Sequence, residues 1–220
     1  MSKKEHYKNI LPHFQQPGQA YFITWCLKDA IPPKALLRYT QKLETLQSQI
    51  ANCKKQNTTS VGLERLIKEY ALVRKQYIKA YADLLDLEKH PIINLSSLEN
   101  TEIIFNSLQF WNGRTLKSIA FSIMPNHVHW VVELFEKDEN GNPVYLQDVL
   151  QSVKRFTANQ INIANNRQGA LWQKESFDTT IRNNKHLYFA TRYTINNPVK
   201  AGFVHHWREW KGTWYDGDDF

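Results

Sequence analysis

Two uninterrupted heptad seams most constrain what this chain can fold into. Leu36, Tyr39, Leu43, Leu46, Ile50 and Cys53 follow one another at spacings of 3, 4, 3, 4 and 3 residues. After the polar stretch KKQNTTS, residues Leu63, Leu66, Tyr70, Val73, Tyr77, Ala80, Leu84 and Leu87 resume the same alternation. An apolar residue every 3.5 positions keeps a narrow stripe turned toward a partner helix. Two such stripes joined by a short turn predict an antiparallel helical hairpin packed as a coiled coil. At about 1.5 Å per residue the second seam runs to roughly 37 Å. Ordinary core helices use wider apolar faces, and these seams are flanked by charge. Residues 34–89 are therefore expected to form an arm inserted into a globular body made of 1–33 and 90–220.

The body has a different grammar. QAYFITWCLK (19–28) is aromatic and β-branched, a first strand that Asp29 and the Pro32-Pro33 pair close before a helix opens. Ser96 with Glu99 three residues on is a capping box, placing a helix at 97–110. RTLKSIAFSIM (114–124) and HVHWVVEL (127–134) predict two strands around a turn at Pro125-Asn126. Asn142-Pro143 is expected to open a helix reaching about residue 164, and 177–182 suits another strand. Asn183 caps a helix that must stop near Asn197, because the residue before Pro198 is biased away from helical backbone. Gly202 then turns the chain into a Trp-rich tail. Strand, helix, strand, strand, helix, strand, helix is an α+β plan, an antiparallel sheet with helices on one side.

Composition matters chiefly through charge. The chain has 220 residues and a net charge of +7. Between Gln151 and Lys211 there are ten Lys/Arg and three acids, so ten minus three leaves the whole +7 in that stretch. Phe156, Trp172, Tyr188, Tyr193 and Trp207 are interleaved with those bases. Cations favour phosphates and aromatic faces stack unpaired bases, so nucleic acid is the natural partner, although a solvated cationic surface has the same composition. No run of apolar residues approaches the 18 or so of a membrane span, so no membrane partner is expected. MSKKEHYKNI lacks the apolar core of a secretory signal, and Cys26 and Cys53 form neither a disulfide framework nor a CxxC pair. A cytoplasmic, nucleoid-associated protein is expected.

His127 and His129 stand two apart on a predicted strand and project from one face, with Val128, Trp130, Val132 and Leu134 on the other. Two imidazoles side by side on a rigid element are half of a divalent metal site. Alternating surface histidines would give the same spacing. A third ligand must come from elsewhere. Tyr193 and Asn197, four apart and so on one helical face, are a candidate, since an amide oxygen is a hard ligand suited to Mg²⁺ or Mn²⁺. Taken singly, Tyr193 reads equally as a packing tyrosine and Asn197 as a helix-end residue.

FSIMPNHVHWVVEL (121–134), LQSVKRFTANQIN (150–162), LWQKESFDTTIR (171–182) and RYTINNPVKAGFV (192–204) together resemble the single-tyrosine HUH transposases. The branch they resemble most is that of the REP-associated tyrosine transposases, relatives of the IS200-like enzymes. The M-P-N-H-x-H block joined to Y-x-x-x-N-P-V-x-A-G carries the resemblance. It implies a ferredoxin-like antiparallel sheet with helices, His127 and His129 as metal ligands, and Tyr193 as the nucleophile. Asn197 would be the third ligand or a close polar partner, at a position where insertion-sequence relatives carry glutamine. The arm at 34–89 departs from the minimal pattern.

The activity so implied is a metal-dependent DNA strand transferase that cuts and rejoins hairpin-forming single strands through a 5′-phosphotyrosine link. A free phenol, with a pKa near 10, is a weak nucleophile, and a divalent cation at the phosphate would supply the missing activation. The imidazoles must be neutral to bind it, so activity is expected to fall below about pH 6. Lys154, Arg155, Arg182, Lys185 and Arg192 are candidate phosphate contacts, or else solvated helix charge. The partner is thus single-stranded or hairpin DNA, and the seams also suit pairing with a second copy as a homodimer. Three rivals stay open: a catalytically silent binder of single-stranded or hairpin DNA, a zinc hydrolase using His90, His186, His205 or His206 as further ligands, and a coiled-coil scaffold.

Overall fold

The alternating apolar runs on either side of Pro125 pair as neighbouring strands in a computed structural model, which describes residues 6–8, 12–32, 34–56, 60–87 and 91–218. The strands are β1 (His6–Lys8), β2 (Pro12–Phe14), β3 (Ala20–Cys26), β4 (Leu116–Ile123), β5 (His127–Leu134), β6 (Phe177–Thr180) and β7 (Thr213–Tyr215). The helices are α1 (Leu37–Lys55), α2 (Ser60–Leu87), α3 (Leu98–Trp111), α4 (Leu146–Ala164), α5 (Asn184–Ile195) and the single turn α6 (Asn197–Lys200). Two compact units result, one from 1–30 with 89–220 and the other from 31–88.

In the first unit the sheet order is β6-β3-β5-β4-β7, every neighbour antiparallel. The succession β3-α3-β4-β5-α4-β6 within it is the ferredoxin-like β-α-β-β-α-β arrangement. β7 lengthens the sheet beyond β4, out of the Trp-rich tail, where three residues were too few to signal a strand. β1 and β2 pair as a separate short hairpin.

Each face of the sheet has its own apolar layer because side chains alternate along a strand. On one face Trp25 meets Trp130 and Trp172 edge-on, with ring centroids 6.3 and 6.2 Å apart. Phe105 of α3 packs edge-on against Phe121 at 5.1 Å, and Trp130 donates its indole N–H to Ser118 Oγ at 3.0 Å. On the other face Ala120 and Val131 are buried with Ile181, Ala190, Ile195 and Trp207, packed by Phe22, Leu187 and Val199. The expectation of helices on one side only is thereby corrected: α5 covers the face that carries His127 and His129. Burying α5's own apolar positions requires that second layer.

Helix termini moved by small amounts for identifiable reasons. Ser97 caps α3, accepting from Asn100 N–H, while Ser96 donates to Asn94 Oδ1, so the cap sits one residue later than Ser96-Glu99 suggested. α4 begins at Leu146 and not at Asn142-Pro143. Asp138 accepts backbone N–H groups of Asn140 and Asn142 at 2.9 and 2.8 Å, which commits Asn142 to a turn. Asn183 caps α5 as expected, accepting from His186 N–H at 2.9 Å.

In the second unit Tyr39 meets Tyr77, Lys42 pairs with Glu69 at 2.8 Å and Gln47 donates to Tyr70 Oη at 2.8 Å. Tyr39, near the start of α1, meets Tyr77 toward the end of α2, whereas Lys42 and Gln47 meet Glu69 and Tyr70 nearer its start, so the two helices run antiparallel. Leu36, Leu43 and Leu46 are buried on the first seam. On α2 the buried line runs Val73, Tyr77, Tyr81, Leu85, in steps of four, with Ala80 and Leu84 half-buried and Leu87 exposed. A helix turns every 3.6 residues, so a stripe drifts off a strict 3.5 count along its length. Residues 57–59 of the connecting turn lie outside the described residues.

Candidate active site

His127 and His129 lie on the α5 side of β5, and the register sets their neighbours. Cys26 stands opposite His127, while Thr24 of β3 and Ser122 of β4 flank His129 across three strands. Covering this face buries both histidines to 2–3% exposure. They are not on an open strand face.

Each ring is gripped at its outer nitrogen. His127 Nδ1 lies 2.6 Å from Asn126 Oδ1, and His129 Nδ1 lies 2.7 Å from Thr24 Oγ1. An amide oxygen only accepts, so His127 donates through Nδ1 and its Nε2 carries a lone pair. Asn197 Nδ2 donates to His129 Nε2 at 3.2 Å, which leaves the proton of His129 on Nδ1, facing Thr24. The two Nε2 atoms face each other across 3.1 Å. Two nitrogens about 2.1 Å from one ion, at about 90°, would be about 3.0 Å apart. The donor set therefore fits a divalent cation.

Burial also fixes the protonation state. Desolvation pushes His127 down to about 3, helped by the positive charge of Lys200. His129 is driven well below its ordinary value by the same burial, then by His127 and Lys200. Burial thus favours the neutral form of both rings, the form that offers a lone pair to a metal.

Asn197 is 1% exposed, and its Oδ1 is buried without a hydrogen-bond partner among the described residues. Rotating the amide by 180° would exchange oxygen and nitrogen and turn that lone pair toward the histidines. Among the described residues no three His, Cys, Asp or Glu side chains gather for a metal, so an amide is the available third donor. Asn197 does not continue the helix of Tyr193, as its four-residue spacing suggested. α5 ends at Ile195 and Pro198 sits in the first turn of α6. Both side chains nevertheless reach His129, whose ring centroid is 5.2 Å from that of Tyr193. Phe22 stacks on His129 at 5.5 Å and meets Tyr193 edge-on at 5.8 Å, while Lys200 Nζ lies 5.7 Å from the Tyr193 ring centroid.

The basic candidates divide into two groups. Arg182, Lys185 and Arg192 are exposed on α5 and its approach, the helix of Tyr193. Lys154 and Arg155 line a separate cleft of about 460 Å³ between α4 and residues 170–176. There the Lys154 ammonium donates to Gln173 O at 2.6 Å, and burial lowers it to about 8. Of the other histidines, His186 accepts the Arg182 N–H beside the start of α5, His206 accepts the Arg208 N–H, and His90 lies outside the described residues. Thr24, Phe22 and Lys200 carried no sequence signal of a site role. Asn126 stands within the M-P-N-H-x-H block, where its sequence signal is that of a turn residue.

No family model matches the chain. A curated Haemophilus influenzae protein, whose name proposes a REP-associated tyrosine transposase, is 26% identical over 101 residues. That match covers 43% of this chain and 56% of the relative, so the chain spans about half the length of the relative it matches. A solved structure of a REP-associated tyrosine transposase bound to a REP hairpin aligns with 94% of this chain and 80% of its own, at 15% identity and a TM-score of 0.45. No described helix is long and apolar enough to cross a membrane.

Proposed function

We propose that this chain is a REP-associated tyrosine transposase that cuts and rejoins hairpin-forming single-stranded DNA, with Tyr193 as nucleophile. The observation that carries the proposal is the convergence, in one buried recess, of two neutral imidazoles, a buried amide and the ring of Tyr193. The resemblance of the M-P-N-H-x-H and Y-x-x-x-N-P-V-x-A-G blocks supports the same reading.

His127, His129 and Asn197 would hold Mg²⁺ or Mn²⁺, which when bound supplies positive charge to a non-bridging oxygen of the scissile phosphate. The remaining work falls to the chain itself. Thr24 and Asn126 keep each imidazole in the tautomer whose lone pair points inward. Phe22 packs against both His129 and Tyr193, limiting the motion of the nucleophile relative to the ligands. Tyr193 Oη attacks phosphorus in line. As its bond to phosphorus forms, the bond from phosphorus to the 3′ oxygen breaks, and the phenol proton passes overall to that departing oxygen. A 5′-phosphotyrosine and a free 3′-hydroxyl result, and the reverse reaction with another 3′-hydroxyl rejoins strands without an external energy source.

Incubation with a single-stranded hairpin DNA and Mn²⁺, followed by a denaturing gel, tests the proposal. Wild type should yield a covalent protein–DNA band, and Tyr193→Phe should yield none while binding the hairpin within about twofold of wild type, because only the attacking oxygen is lost. Binding without any adduct in wild type would make the chain a silent hairpin binder. An adduct in Tyr193→Phe would move the nucleophile elsewhere.

A further inference from the structure

α5 presents two faces with different tasks. Ala190, Thr191, Thr194 and Ile195 are buried against the sheet. Lys185, Tyr188, Phe189 and Arg192 recur at spacings of three and four and so share the outward face. Tyr188 is 48% exposed and Phe189 52%, with ring centroids 5.5 Å apart at 75°. Exposed Lys185 and Arg192 frame the rings, and exposed Arg182 precedes them. No Asp or Glu occurs in the thirty residues from Thr179 to Arg208, while Arg182, Lys185, Arg192, Lys200 and Arg208 all do. Two neighbouring, half-exposed aromatic rings inside an acid-free cationic stretch match a strand that offers both phosphates and unpaired bases.

We infer that Tyr188 and Phe189 form a base-stacking platform that grips the single-stranded flank of the DNA next to the cleavage point. This rests on the proposed DNA-cleaving function. Phe189 lies four residues before Tyr193 and Tyr188 five, a rise of about 6–7.5 Å along the helix. At about 3.4 Å per stacked base, the platform reaches within about two nucleotides of the phosphate attacked by Tyr193. The two rings are positioning residues: they touch bases and not the reacting atoms.

The test uses the full chain carrying Tyr193→Phe, so that binding is measured without cleavage, on two DNAs with the same stem. One has a single-stranded flank of about five nucleotides, the other is blunt. Adding Tyr188→Ala and Phe189→Ala should weaken binding of the flanked hairpin at least tenfold, since stacking is worth about 1–3 kcal/mol per base. The blunt hairpin should bind within about twofold. Tyr188→Phe with Phe189→Tyr should restore flanked binding, whereas Tyr188→Leu with Phe189→Leu, which keeps apolar bulk without rings, should not. A 2-aminopurine one or two nucleotides from the cleavage point should be quenched by the aromatic pair and not by the leucine pair. Unchanged flanked binding in the alanine variant, equal loss on both DNAs, or rescue by leucine would overturn the platform. These outcomes are separable from failure of the function itself, which appears as the absence of an adduct with unmodified protein.

Discussion

At the scale of single residues the imidazoles are held from behind, and that grip can be measured. Thr24→Val keeps the shape of the side chain but removes the hydroxyl at His129 Nδ1. Loss of such an outer partner commonly costs about 10–100-fold in metal affinity. We expect that loss in Mn²⁺ calorimetry, with Thr24→Ser retaining affinity; a value within twofold of wild type for Thr24→Val would remove the residue from the site. His127→Ala should abolish metal-dependent cleavage and also weaken the fold. The ring is buried, and its removal deletes the hydrogen bond to Asn126 Oδ1, at about 1–3 kcal/mol. The pH dependence follows from the lowered His127 value. Above about pH 6.5 the histidine is neutral folded or unfolded. Below it the unfolded chain takes up a proton that the folded ring refuses until about pH 3, so this contribution to stability is lost progressively as pH falls through that window. Each pH unit costs about 1.4 kcal/mol. Urea titrations should therefore show the deficit of metal-free His127→Ala shrinking by up to about 2 kcal/mol between pH 7 and pH 5. A constant deficit would mean that the ring is not buried neutral.

At the scale of elements, local capping sets how well the helix of Tyr193 is anchored. Asn183 satisfies the His186 N–H at the start of α5, and Asn183→Ala should cost about 1 kcal/mol of stability by urea titration. The site is reached from the far end of α5, so the same variant should slow adduct formation while leaving Mn²⁺ affinity intact. Unaltered stability would show that the cap is replaced by solvent. β3, β4 and β5 are legible because aromatic and β-branched runs alternate over seven or eight residues. β7, at three residues, is shorter than any such pattern and exists because β4 offers it an edge. The break between α5 and α6 was half legible. Pro198 announced an end, but its missing N–H equally suits the opening turn of another helix.

At the scale of the whole molecule, His127, His129, Tyr193 and Asn197 all belong to the unit formed by 1–30 with 89–220. Replacing 34–89 with a short Gly/Ser linker should leave the sheet able to close, because loop length changes closure entropy only slowly. We expect the shortened protein to form the covalent adduct still, and to lose either its discrimination between two unrelated hairpins or its self-association in light scattering. A variant folded by circular dichroism but inactive in cleavage would place the arm in the active site.

Residue order alone determined the two helices of the arm, the strand-turn-strand about Pro125-Asn126, the common face of His127 and His129, and the cap at Asn183. Each depends on contacts within a few positions, where periodicity and side-chain chemistry act directly. Tertiary structure decided what depended on distance along the chain. It set Thr24 behind His129 from 105 residues away, and brought the Asn197 amide to the same ring from 68 residues away. It also covered the histidine face with α5. Burial, not sequence neighbourhood, holds the imidazoles neutral, because removing water penalises their charged form whatever residues lie beside them in the chain.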